Sequence, residues 1–84
     1  MRTIRLQCSN RSELHDLLEK ELPSPYGRNL DALHDILSTL SEELVLELEE
    51  TALCAALGDR YFDNLLRMLR ETSLENPKFQ IRLK

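Results

Sequence analysis

Apolar and polar positions alternate along this chain in two rhythms, and the changes of rhythm divide it into seven elements. From Arg2 to Cys8 the period is two. Ile4, Leu6 and Cys8 fall on one side and Thr3, Arg5 and Gln7 on the other, which predicts a half-buried strand. A cap at Asn10 or Ser12 then opens a helix whose stripe is Leu14, Leu17, Leu18 and Leu22. Pro23 and Pro25 end it, because each disfavours helical angles in the residue before it, and they stiffen the loop into Tyr26. Asn29 caps a second helix with Leu30, Leu33, Leu37 and Leu40 at helical spacing and Ile36 widening the stripe. Period two returns from Glu43 to Leu48, with Leu44, Leu46 and Leu48 inward, Glu47 outward and Val45 as the exception. Glu50 and Thr51 open a short helix through Leu53, Cys54 and Leu57, closed by Gly58. Asp59 caps a last helix that buries Phe62, Leu65, Leu66, Met68 and Leu69. Its outer side carries Asp63, Arg67 and Glu71 as a ladder of surface ion pairs. Pro77 stops the helical region, and Lys78 to Lys84 is a third strand with Phe79, Ile81 and Leu83 inward.

The predicted order is β-α-α-β-α-α-β in one domain spanning residues 1–84. Helical connections between strands favour parallel pairing. The expected fold is therefore α/β, a three-stranded parallel sheet with about four helices packed on one face and water on the other. Arg5, Glu47 and Arg82 then share the open face, where they can pair across strands. The first strand is placed in the middle of the sheet.

Length and charge narrow the function. Eighty-four residues allow a modest core and little room for a deep catalytic cleft. No apolar run reaches membrane-spanning length and the first residues lack a signal pattern, so the expected setting is the cytoplasm, with no membrane partner. Cys8 and Cys54 form no CxxC and read as buried reduced thiols, a single bridge between them being the alternative. The net charge of −4 hides an asymmetry. Asn29 to Glu50 holds seven acids and no Lys or Arg, leaving −7 there and +3 in the remainder. A one-signed segment on a small domain steers an oppositely charged partner and argues against a grip on phosphate backbones, so no direct nucleic-acid binding is expected.

The second helix carries the chemistry. Gly27 suits a tight entry or a close backbone approach. Asp31 and Asp35 fall together opposite the apolar stripe, and His34 lies at the margin between the two faces. Like charges at i,i+4 repel by a few tenths of a kcal/mol; the helix dipole offsets this for Asp31 in the first turn but hardly for Asp35. The plain reading is a solvated face that tolerates the cost, and the sharper one is an anionic surface kept for a cationic partner. An acid–base or half-metal site from Asp31, His34 and Asp35 is a weaker alternative. No HExxH, phosphate loop or Gly-x-Ser-x-Gly elbow completes it, and His15, beside Glu19 on another helix, reads as solvated. No catalytic residue, metal or cofactor is expected.

The segment Tyr26 to Leu37, YGRNLDALHDIL, resembles the inhibitor helix of the barstar family, intracellular inhibitors of barnase-type ribonucleases. The likeness extends to chain length, element order and the Leu-Arg-Glu segment at Leu69 to Glu71. The resemblance implies an antitoxin-like inhibitor, a monomer, that plugs a ribonuclease active site with this helix and the loop before it. By position, Asp35 matches the aspartate that occupies the substrate phosphate site, and Asp31 the carboxylate that pairs with an arginine of the guanine-recognition loop. Glu71 matches a glutamate supporting that contact, and Gly27, Asn29 and Leu30 match positions at or near the same surface. Pro25, Arg28 and His34 stand where the family has a tyrosine, an acid and a tryptophan. The aromatic contact is thereby lost or comes from Tyr26, and a ring able to titrate joins the surface. The implied partner is an extracellular-type microbial ribonuclease; another basic protein, bound by the same fold without inhibition, is the alternative.

Overall fold

The computed structural model describes residues 2–22 and 27–84. Its elements are β1 (Arg2–Leu6), α1 (Arg11–Glu21), α2 (Leu30–Ser38), β2 (Leu44–Leu48), α3 (Glu50–Leu57), α4 (Asp59–Glu75) and β3 (Phe79–Leu83). The expected order and the parallel sheet are both found, with β1 pairing β2 and β2 pairing β3. The stop signals at Pro23 and Pro25, and Tyr26, lie outside the described residues.

The strand order is β1-β2-β3, so β2 rather than β1 is central. The reason is written in β2 itself, where every residue of LVLEL is buried. A middle strand has neighbours on both edges and is covered on both faces, and it therefore tolerates apolar residues without alternation. Val45, the exception to the alternation, lies between Thr3 and Gln80 in register and is buried on the face away from the core. The edge strand β1 keeps its rhythm from Thr3 onward, with Thr3 and Arg5 outward and Ile4 and Leu6 inward, while Arg2 is exposed at the strand's start. β3 fades toward its end, since Phe79 is fully buried but Leu83 is 37% exposed instead of inward.

One cluster joins every element: Ile4 and Leu6, Leu14 and Leu18, Leu33, Ile36 and Leu37, the β2 leucines, Leu53 and Leu57, and Phe62, Leu65, Leu69 and Phe79. Each such leucine or phenylalanine contributes about 1.5–3 kcal/mol by leaving water. Leu17, Leu66 and Met68 pack against this cluster while half-buried.

Caps set the helix limits. Asn10, not Ser12, opens α1: its side chain accepts from the Glu13 amide at 2.9 Å, and the Glu13 carboxylate accepts from the Ser9 amide at 2.8 Å. These contacts satisfy donors the first turn leaves open. Gly58 closes α3 at φ 89°, a region disfavoured for side-chain-bearing residues, and its carbonyl accepts the first bond of α4 from the Phe62 amide. It therefore displaces Asp59 as the cap; Asp59 is instead the first helical residue, where its charge faces the positive end of the helix dipole.

Candidate docking surface

Caps at both ends fix α2, and apolar packing and one buried side chain hold it against the rest of the molecule. At its start, the Asn29 side chain accepts from the Ala32 amide at 2.7 Å, and the Leu33 amide donates to the Asn29 carbonyl at 3.1 Å. Along its length Leu33, Ile36 and Leu37 are buried, with Leu30 half-buried, and the helix packs on α4. At its end Thr39 donates its hydroxyl to the Asp35 carbonyl at 2.9 Å. Beyond that, buried Asn76 donates to the carbonyls of Leu37 and Leu40 at 2.9 and 3.2 Å. Its Oδ1 accepts from the Lys78 amide at 3.1 Å, so one side chain ties the end of α2 to the α4–β3 turn. Thr72, also fully buried on α4, satisfies its hydroxyl on the Met68 carbonyl at 2.8 Å.

Held in this way, α2 presents Asp31 and Asp35 to solvent, one turn apart. Among the described residues neither carboxylate forms an ion pair. His34 is half-buried, and its Nε2 lies 2.9 Å from a carboxylate oxygen of Glu75 on α4, a hydrogen bond that becomes an ion pair when the ring is protonated. Glu71 is exposed one turn before Glu75, on the outer side of α4 beside Arg67, Arg70 and Leu74. The Asp63–Arg67 rung of the outer ladder forms at 3.4 Å between well-exposed side chains.

Entry to the helix differs from expectation. The left-handed residue is Arg28, at φ 59°, and not Gly27. Gly27 serves close approach instead: a Cβ there would lie 3.3 Å from the Ala32 Cβ, tight against the first turn. Arg28 turns away from α2 and pairs with Asp16 and Glu19 of α1 at 2.9 and 3.0 Å.

These placements gather Gly27, Asn29, Leu30, Asp31, His34 and Asp35 on one helix and its entry, with Glu71 on the neighbouring helix; Tyr26 lies outside the described residues. A family model described as Barstar (barnase inhibitor) matches residues 1–84. The chain belongs to the Barstar family. A ribonuclease-inhibitor role follows in general terms, since members of the Barstar family are inhibitors rather than enzymes.

Elsewhere the titratable groups serve packing. His15 is half-buried rather than solvated, with Nε2 3.1 Å from the Tyr61 hydroxyl, while the Arg11 guanidinium lies 4.4 Å over the Tyr61 ring. Burial, with the Arg28 charge, lowers the His15 pKa against the opposing pull of Asp16. Cys8 and Cys54 are free and half-buried. Burial raises both thiol pKa values, helped by Glu13 at Cys8 and by Asp59, Glu50 and Asp63 at Cys54, which disfavours thiolates. No helix among the described residues is long and apolar enough to cross a membrane.

Sequence reasoning missed Asn76, Glu75 and the orientation of Arg28. The Arg28 contacts had a signal: Asp16 and Glu19 are three residues apart and share a helix face. Asn76 had none, because its partners are backbone carbonyls about forty residues away in the chain.

Proposed function

We propose that this protein inhibits a barnase-type, guanyl-specific ribonuclease by laying the exposed face of α2 into the enzyme's active site. A site that cleaves phosphodiesters presents cations to a developing dianion, and a rigid carboxylate pair imitates that charge. Asp35 takes the phosphate position, Asp31 pairs with an arginine of the base-recognition loop, and Glu71 supports that second contact from α4. Gly27, Asn29, Leu30 and His34, with Tyr26 before them, frame the carboxylates. The observation that carries the reading is the state of Asp31 and Asp35: solvent-exposed, on a capped and packed helix, with no cation paired to them among the described residues. Carboxylates left unpaired in the free protein are available for charge-assisted, bidentate contacts with arginine. A preformed helix also loses little conformational entropy on docking.

The test is a titration of RNA cleavage by a barnase-type ribonuclease against wild-type protein and Asp35→Ala. Stoichiometric inhibition by the wild type and its loss in the variant are expected. If the wild type leaves cleavage unchanged, the inhibitor assignment fails for that enzyme class, and a basic protein without nuclease activity becomes the partner to seek.

A further inference from the structure

Arg28 combines two features that are individually costly. Its backbone is left-handed, a conformation that clashes with a Cβ and is common only for glycine. Its charge stands immediately before an acidic helix meant, on the reading above, for a cationic partner, where it would be expected to repel that partner. The structure shows how both are answered. The guanidinium folds back on α1, with Nη2 2.9 Å from Asp16, Nη1 3.0 Å from Glu19 and a longer contact of 3.5 Å to the Ser12 carbonyl. Two carboxylates share one guanidinium, so the junction as a whole is left net negative. The next residue is Asn29, whose side chain caps α2 and also donates to the Gly27 carbonyl at 3.2 Å.

We propose that Arg28 is a positioning residue of the docking surface, a clamp that holds the α2 entry on α1 and so fixes the direction in which Asp31 is presented. The proposal rests on the inhibitor reading for its effect on a partner, but the clamp itself is a property of the free protein. Two solvent-exposed ion pairs and one longer hydrogen bond hold the guanidinium on α1 against the backbone strain at Arg28, so releasing them loosens the left-handed turn and with it the first turn of α2. Loops that must present a binding group in one orientation lose affinity when that orientation is no longer held in advance.

The sign of the effect separates the clamp from a repulsive charge. If Arg28 merely opposed a cationic partner, Arg28→Ala would speed association and tighten inhibition. As a clamp, its removal should raise the dissociation rate constant for a barnase-type ribonuclease about tenfold, the scale of a modest preorganisation loss. Arg28→Lys should recover part of that loss, and Arg28→Gly, which relieves the backbone strain but not the missing contacts, should recover less. Hydrogen exchange in the free protein provides the second reading. In Arg28→Ala the Ala32 and Leu33 amides should exchange about threefold to tenfold faster, as expected for local opening, while the Leu65 and Leu69 amides of α4 stay unchanged. Unchanged exchange at Ala32 and Leu33 would overturn the clamp whatever the partner does. Tighter inhibition by Arg28→Ala would overturn it as well. Failure of the wild type to inhibit would count against the inhibitor reading alone, and the exchange result would still decide the clamp.

Discussion

The molecule uses carboxylates in two opposite ways, and the contrast between Glu47 and the α2 aspartates shows how a small acidic protein separates folding from docking. Glu47 sits on the central strand with its side chain 10% exposed and gathers Arg5 at 3.4 Å, Arg82 at 3.1 Å and Lys84 at 3.6 Å. The register dictates this, since Arg5 and Arg82 are its direct neighbours on β1 and β3. Burial pushes the Glu47 carboxyl up, but Lys84, Arg5 and Arg82 together bring it below its ordinary value. Asp31 and Asp35 lie on a surface helix and have no such partners among the described residues. Placed on the sheet, a carboxylate joins three chain segments; placed on α2, it is left for another molecule. Of the seven acids between Asn29 and Glu50, then, Glu47 belongs to the fold and the aspartates of α2 to the proposed interface.

The largest expected effect breaks the docking side alone. Asp35→Ala should weaken binding to a barnase-type ribonuclease by about 2–5 kcal/mol, the general range for truncating a buried interfacial charge pair. Its melting temperature should stay equal or rise slightly, because a like-charge pair worth a few tenths of a kcal/mol is relieved. Calorimetric titration and thermal melts of the same preparation check both halves. A large fall in melting temperature would make Asp35 a structural residue and remove the contrast.

Glu47→Gln should show the reverse pattern. The three cations lose their shared partner, so the melting temperature should fall while affinity for the ribonuclease stays unchanged. An affinity loss comparable to that of Asp35→Ala would mean that the sheet cluster also shapes the docking surface.

Acid sharpens the same comparison. A carboxyl whose pKa is lowered on folding stabilises the protein fully above its ordinary value, 4.5 for Glu47, and that stabilisation is lost as the pH falls through the lower folded value. The difference in melting temperature between wild type and Glu47→Gln should therefore be widest at neutral pH and close as the pH is taken below 4.5. A difference that persists in strong acid would show that the substitution acts through packing and not through charge.

How far the sequence could be read follows the range of the interactions involved. The seven elements were legible because periodicity and caps are local: Asn29 and Gly58 announce their roles within a turn of themselves. The central position of β2 was legible in principle, since Val45 breaks the alternation that Ile4, Arg5 and Leu6 keep. That exception is the mark of a strand covered on both faces. The supports of α2 were not legible. Asn76 reaches carbonyls at Leu37 and Leu40, Glu75 meets His34, and Arg28 crosses to α1, and none of these contacts follows from a repeat in the chain. The acidic face itself was visible from spacing. The scaffold that stiffens it required coordinates.

Glu71→Ala gives the smallest effect and tests where the interface ends. Glu71 is exposed on the outer side of α4, the helix that packs against α2. A charge at the rim of an interface acts through water and mobile ions, so it contributes less than a buried one and acts mainly on the rate of encounter. Truncation should cost about 1 kcal/mol or less, seen as slower association that added salt erases. Paired with Asp35→Ala, the variant separates steering from anchoring: Glu71→Ala alters the on-rate, and Asp35→Ala the off-rate. If Glu71→Ala cost more than Asp35→Ala, the centre of the docking surface would lie on α4, and Asp31 and Asp35 would be the rim around it.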